Sequence, residues 1–339
     1  MTGRPSRRLS SSRTVWPVAT AAGLALDHLL GDPPDRMHPV AWFGAAMGCL
    51  EAAAWRDSRS RGVLHALAGT GGAAVVGWLL HETGRRAAGP VGEAAAAMIV
   101  AATVIGARSL DVRAEEIHEA LSAGRVDQAR RLLPSLVGRN PTGLEEDEIA
   151  RAVVESLAEN SVDAVVAPLL WSAAAGPAGA AAYRAVNTLD AMVGHRNLRY
   201  RNFGWASARL DDIANHVPAR LAAAMVAALT PRRAAVILRT VRRQAGAHPS
   251  PNAGVIEAAF AAALDLRLGG TNDYDGVIEQ RPALGEGRAP TPDDIRRTRA
   301  LACRLHVATA AAIALPSALR LAGQLARRSA RPTTGGGEP

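Results

Sequence analysis

The sequence predicts an all-α fold, a multi-pass helical membrane protein with extramembrane helical loops, and three observations lead to it. Apolar residues make up 48% of the chain and aromatic ones only 4%, so the apolar content is chiefly alanine, valine and leucine. That content is gathered into blocks near 14–31, 63–80, 91–107, 162–186, 215–231 and 302–323, close to the roughly 18 to 20 residues needed to cross a bilayer as a helix. No alternation of apolar and polar residues runs long enough to make a strand that matters. Alanine and glycine allow close helix packing in lipid but insert weakly, so a soluble protein with alanine-rich buried helices has the same composition. The first block and 63–107 favour the membrane.

Taken in order, the chain opens with a basic tail over 1–13. A basic start followed by an apolar run resembles a cleaved signal peptide. Asp27 and the turn Gly31-Asp32-Pro33-Pro34 interrupt that reading, and the block is expected to be an uncleaved first membrane segment, the start of N-terminal membrane helices over 14–107. A polar helical hairpin and a capped helix are expected over 108–161. Leu110, Ile117 and Leu121 share one helix face, Gly124 breaks the chain, and Val126, Ala129 and Leu133 share a face on the next helix. Thr142 with Glu145 reads as a capping box for the helix that follows.

Membrane helices with a polar loop are expected over 162–231, a loop-rich extramembrane insert over 232–301 and a C-terminal membrane helix over 302–326. Residues 327–339 read as a disordered, low-complexity tail. Basic residues at both ends place both termini in the cytoplasm under the positive-inside tendency. Six full spans would then leave the arginine-rich start of 232–300 on the far side, so at least one block is expected to be re-entrant, peripheral or a core helix.

A formal charge of +8 is compatible with nucleic acid, but the arginines are not interleaved with stacking aromatics, and no nucleic acid is expected as partner. Cys49 and Cys303 stand far apart with no His/Cys cluster beside them, and read as small buried apolar residues without a zinc site or disulfide framework. There is no Walker A sequence, dinucleotide fingerprint or nucleophile elbow.

Against this apolar background one stretch stands out: NTLDAMVGHRNLRYRNFGWASARLDDIANHVPARL, residues 187–221. Helical spacing sets Asp211 and Asp212 on a turn adjacent to Asn215. Such oxygen groups suit a hydrated Mg²⁺ carrying a phosphorylated substrate, since Mg²⁺ keeps waters and takes few carboxylates. Paired carboxylates beside Arg209 and Arg220 are the ordinary alternative. An Asp-Asp pair at the mouth of an apolar block favours the metal.

Glu155, Glu159 and Asp163 recur every four residues, with Asn160 beside them. For Glu155 the expectation is a solvated face and an ordinary pair with Arg151; for Glu159, Asn160 and Asp163, at the membrane edge, it is function. His195, Arg196, Arg199, Arg201 and Arg209 form a cationic cluster fit to grip carboxylate or phosphate, and Asn187, Asn197 and Asn202 among them point to a shaped polar site. In HPSPNAG, Asn252 is placed to cap a helix, whereas His248 and Ser250 have no evident structural role. Asp27, inside an apolar block, is a functional candidate alongside Asp32 and His38.

The runs GDPPDRMHPVAWFG, LVGRNPTGLEEDEIARAVVESLAENSVDAVVAPLLW, AYRAVNTLDAMVGHRNLRYRNFGWASARLDDIANHVPARL and HPSPNAGVIEAAFAAALDLRLGGTNDYDG, in that order, resemble the CobD/CbiB family of cobalamin biosynthesis proteins. Asn140 and Pro141 depart from the family's usual residues after VGR, which touches only that loop. The resemblance implies a multi-pass protein of the inner (cytoplasmic) membrane that attaches aminopropanol, or its phosphate, to the free propionate of adenosylcobyric acid. The product would be adenosylcobinamide or its phosphate. It further implies an ATP-dependent carboxylate-amine ligase, with the corrinoid as substrate and other pathway enzymes as possible associates. On that footing Asp190, Asp211 and Asp212 would hold Mg²⁺ with Asn215. Arg196, Arg199 and Arg209 would grip phosphate, with Asn187, Asn160, His248 and Asn252 lining the substrate. Glu159 or His195 would take the amine proton, with Asp163 beside them. A corrinoid transporter and an intramembrane Mg-dependent prenyl transferase are the competing readings; no inverted repeat supports the first, and the second expects two Asp-rich motifs on repeated helices.

Overall fold

In a computed structural model, residues 6–195, 197–274 and 277–329 are described; residues 1–5 of the basic tail, Arg196, and 330–339 of the expected disordered tail lie outside. Among the described residues are eleven α-helices and one two-stranded hairpin, so the chain is all-α in character. The first helices are α1 (Ser6–Leu30), α2 (Pro39–Ala54) and α3 (Arg59–Val104). Next come α4 (Ala107–Ser122), α5 (Val126–Leu132) and α6 (Glu146–Ser161). Then follow α7 (Ala167–Val193), α8 (Trp205–Leu229), α9 (Ala234–Gln244), α10 (Ala253–Leu264), strands β1 (Leu268–Tyr274) and β2 (Val277–Leu284), and α11 (Pro292–Ser329).

Two of the long helices fold back on themselves. An unbroken helix would hold residues 84 and 92 about 12 Å apart, yet a Cβ built on Gly84 meets the Gly92 carbonyl at 2.4 Å. The break is at Ala88 and Gly89, where Gly89 takes φ 57° just ahead of Pro90. Gly176 (φ 63°) followed by Pro177 turns α7 in the same way. Proline removes a ladder donor and glycine accepts the left-handed backbone, so each Gly-Pro pair is a built turn. The apolar block over 162–186 is therefore divided between two legs. α3 packs along α7, and α1 lies against both and against α11.

Among the described residues, three helical stretches are long and apolar enough to cross a membrane, Arg59–Ser122, Glu146–Val193 and Pro292–Gly323; a fourth arises if α8 and the segment to Ala247, bent by 107°, count as one broken span. α1 is not among them. Leu64, Val75, Trp78 and Leu80 on α3 and Leu315 and Leu319 on α11 are exposed, which in water would be a liability and in lipid is a solvated surface.

The polar hairpin folds as its spacing requires: Leu110, Ile117, Leu121, Ala129 and Leu133 share one core with Ile149 and Leu157 of α6 and Ile295 of α11. The cap of α6 is three residues later than expected. Glu145 is the N-cap and forms the reciprocal box with Glu148, while Thr142 uses its backbone N–H to bond Asn140 Oδ1 at 3.0 Å. The segment read as a loop-rich insert contains α9, α10 and the hairpin, whose register shifts between Leu268 and Gly270. Its first strand, LGGTNDY, lacks the alternation that marks strands. Tertiary contacts hold it instead: Arg151 donates to the Gly269 and Thr271 carbonyls, and Gly269 N–H donates to Glu155 Oε1 at 2.8 Å. The two cysteines, expected to be buried, are free and exposed.

Candidate active site

The end of α6, the second leg of α7 and the first turns of α8 meet with a set of carboxylates between them. Glu159 and Asn160 close α6, and Asp163 follows in a wide turn over Val162–Val166. Extra-residue turns of this kind inside helices recur at functional sites because they re-aim a side chain. The half-buried Asp163 carboxylate feels the charges of Asp211, Glu159 and Asp190, with Arg184 as the nearby cation. Asp190 in turn feels Asp211, Asp212 and Glu159. Like charges gathered this closely in a half-buried place require a cation or protons.

Amide and hydroxyl groups fix the set. Buried Asn215 donates to Asp211 Oδ2 at 3.1 Å and accepts the Tyr183 hydroxyl on Oδ1 at 2.8 Å, so its amide orientation is determined from both sides. The same hydroxyl lies 3.2 Å from the Asp163 carbonyl. Asn187 reaches Asp211 Oδ1 at 3.5 Å. From the start of α10, Asn252 donates to the Asp212 carbonyl at 2.8 Å and accepts from Arg220 at 3.3 Å. Asn252 thus ties α10 to α8 and does not cap its own helix. Ser250 does that work, its hydroxyl accepting from the Asn252 and Ala253 amides at 3.3 and 3.1 Å. His248 Nδ1 accepts the Ser250 amide at 3.1 Å. Both residues therefore have the structural role that the sequence did not reveal.

A second, deeper network adjoins the first. Glu155, expected on a solvated face, is buried and paired with Arg139, and its other oxygen takes the Gly269 amide. Glu257, the single ionisable residue of α10, lies 3.7 Å from His248 Nε2 with both groups buried. Burial pushes the Glu257 carboxyl well above its ordinary range, with Glu155 and Glu159 adding to the effect. Burial and then the Arg281 charge push the His248 imidazole down. Both effects favour the neutral forms.

The structure thus gathers Glu159, Asp163, Asn187, Asp190, Asp211, Asp212 and Asn215, with Asn252 and His248 behind them. Arg209 stands at the exposed rim, 3.3 Å from Asp212 Oδ2. Asn160 turns its amide onto its own helix at Ser156. His195 and Arg199 are elsewhere. His195 is exposed, its Nε2 2.9 Å from the Ala191 carbonyl, and Arg199 bonds Glu51 at 3.0 Å and stacks 4.7 Å above Trp55. The cationic run splits because its loop wraps over α2 and α3, where Gly62 lets the Phe203 carbonyl approach. Asp27 accepts the Arg108 amide at 3.1 Å and so serves the start of α4. Sequence reasoning missed Tyr183, Arg184 and Glu257. A lone acid in AGVIEAAFAAAL was a signal for the last; the other two had none.

Among the described residues, no three His, Cys, Asp or Glu groups converge closely enough to enclose a metal ion by themselves. Asp211 and Asp212 are neighbours on α8, and Asn215 orients the Asp211 carboxylate; a hydrated Mg²⁺ asks for few protein carboxylates.

An all-helical protein with membrane-length apolar helices and a centre where three helices meet and acids outnumber cations has the features of membrane proteins that handle polar substrates. The comparisons narrow it. Residues 20–302 match the family described as CobD/Cbib protein, and the chain belongs to that family. The cobalamin biosynthesis protein CobD of Mycobacterium tuberculosis (strain ATCC 25618 / H37Rv) is 46% identical over 303 residues, covering 88% of this chain and 94% of that protein. Proteins of the same name from Pelobacter propionicus (40% over 276 residues, 80% of this chain and 85% of the relative) and Halalkalibacterium halodurans (39% over 297 residues, 84% and 91%) are also similar. No solved structure matches. Membership assigns the chain a role in cobalamin biosynthesis.

Proposed function

We propose that this chain is the ATP-dependent ligase that joins the free propionate of adenosylcobyric acid to the amine of aminopropanol or aminopropanol phosphate, in the cytoplasmic membrane. The observation that supports it is the meeting of Asp190, Asp211 and Asp212 with Glu159 and Asp163 beside apolar helices. A carboxylate is a poor acyl donor, so amide formation needs prior activation by a phosphoryl or adenylyl group, and the anions so formed need electrostatic stabilisation. Mg²⁺, when bound, would supply charge stabilisation and orient the phosphates.

Asp211, Asp212 and Asp190 would hold that ion. Asn215, oriented by the Tyr183 hydroxyl at 2.8 Å, would keep the Asp211 carboxylate turned toward it. Arg209, exposed at the rim beside Asp212, would grip an entering phosphate. In the coupling step the amine nitrogen bonds to the activated carbonyl carbon, the phosphoryl or adenylyl oxygen leaves, and Glu159 takes the proton lost by the attacking ammonium. Asp163, fixed near Tyr183, would hold the ammonium before attack. His195 and Arg199 receive no part in this scheme.

The test is mass spectrometry of membranes carrying the protein, supplied with adenosylcobyric acid, aminopropanol phosphate, ATP and Mg²⁺, and with each omitted in turn. Amide is expected only from the complete mixture, with Asp211→Asn and Asp212→Asn each lowering its rate at least a hundredfold. Corrinoid binding with no amide under any combination would refute the ligase reading and favour a carrier.

A further inference from the structure

Away from the acid cluster, a cavity of about 620 Å³ opens between the end of α1, the start of α4 and the polar first half of α11. Pockets that hold small organic ligands have volumes in this range. Arg108, Arg296, Arg299 and His306 line it together with the acids Asp111 and Glu115, with His28 and Cys303 also at its wall, and apolar residues that include Leu157 complete it.

The charges in this cavity are unequally satisfied. Arg299 forks onto Asp111 with bonds of 2.7 and 2.8 Å and also pairs with Glu115, so one guanidinium occupies both acids of the lining. Arg108 gives one amino group to the His28 carbonyl at 2.6 Å, and neither it nor Arg296 has a carboxylate partner among the described residues. His306 is 4% exposed, and its Nε2 has no hydrogen-bond partner although it borders the cavity. A buried ring nitrogen left without a partner is costly unless something entering the cavity supplies one. Two guanidinium groups without a carboxylate partner, beside an unpartnered imidazole and apolar wall residues, match a phosphate carried on an organic body.

We propose that this cavity binds a phosphate-bearing small molecule, with Arg108 and Arg296 on the phosphate and His306 bonding the body of the ligand. Two sources carry that chemistry: a soluble nucleotide, or the headgroup of an anionic phospholipid. The second arises because the uncharged stretch of α11 begins at Leu305, so the cavity lies where that helix leaves its apolar part. The inference does not depend on the ligase reading, since it concerns binding at residues outside the acid cluster.

Cys303 reports on occupancy, being exposed and part of the lining. The full chain carrying Cys49→Ser leaves Cys303 as the single thiol. In nanodiscs of phosphatidylcholine, its alkylation rate by N-ethylmaleimide is measured alone, with ATP, with inorganic phosphate, and after replacing part of the lipid by phosphatidylglycerol. Slowing by fivefold or more with ATP identifies a nucleotide; the same slowing with phosphatidylglycerol alone identifies a lipid headgroup. In either case Arg296→Ala, and separately Arg108→Ala, should raise the half-protecting concentration at least tenfold without altering thermal unfolding. Asp211→Asn should lower amide formation at least a hundredfold and leave the protection intact, which separates failure of one proposal from failure of the other. Alkylation unchanged by all three probes, or protection that survives both arginine substitutions, overturns the assignment.

Discussion

Replacing Glu155 by glutamine tests how the hairpin and the buried charge network are held. The side chains of Arg139 and Glu155 are only 4% and 3% exposed. Glutamine keeps an oxygen for the Gly269 amide, which Glu155 now accepts at 2.8 Å, so the substitution removes the charge and little else. Arg139, a buried cation, would then lose the carboxylate it pairs with, and Arg151, 3.8 Å from the same group, would lose it too. Breaking a buried pair from one side costs about 3 to 5 kcal/mol, a large part of the roughly 5 to 15 kcal/mol that holds a domain folded. At about 2 °C per kcal/mol for a chain of this size, the expected fall in Tm is about 6 to 10 °C. The assay is thermal unfolding of the detergent-solubilised protein. Adding Arg139→Met to Glu155→Gln removes that buried cation and should restore at least half of the loss, a coupling that only interacting residues show. A shift under about 2 °C for Glu155→Gln, or simple addition in the double variant, would refute the account.

Two further outcomes follow from the geometry. Gly77→Ala would bring a Cβ to 2.3 Å from the Pro177 carbonyl, where α3 crosses the turn of α7; overpacking against backbone costs about 1 to 3 kcal/mol or more. Gly246→Ala, which meets nothing within 4 Å, is the control and should leave Tm within about 1 °C. Glu257→Gln should show a pH-dependent difference from the parent. The buried carboxyl is raised above its ordinary value of 4.5, so its contribution to stability is complete at acid pH and is lost as pH rises toward the folded value. Glutamine does not titrate, and the Tm of the variant relative to the parent should climb between pH 5 and pH 8. A difference constant across that range would show that Glu257 does not titrate there.

The fold class was legible in the sequence because it rests on local quantities. Helical periodicity identified the 108–133 hairpin, whose Ile117, Leu121 and Leu133 all reach one core. Block length and composition likewise located apolar helices on α3, α7 and α11. The acids of LDDIAN were legible too, since a four-residue spacing fixes which side chains share a face. The breaks at Gly89 and Gly176 were less so, because a Gly-Pro pair becomes a turn only when a second leg finds a surface to pack on. Arg199 and Asp212 lie near each other in the chain but face different neighbours, since a loop's course over α2 and α3 is set by contacts far away in sequence. Glu155 looked solvated because its partners, Arg139 and the Gly269 amide, come from segments that approach only on folding. The sequence by itself determined which residues carry charge and which helices they ride on. The tertiary structure alone decided which charges face one another, because burial and pairing belong to helices packed together and to no single helix.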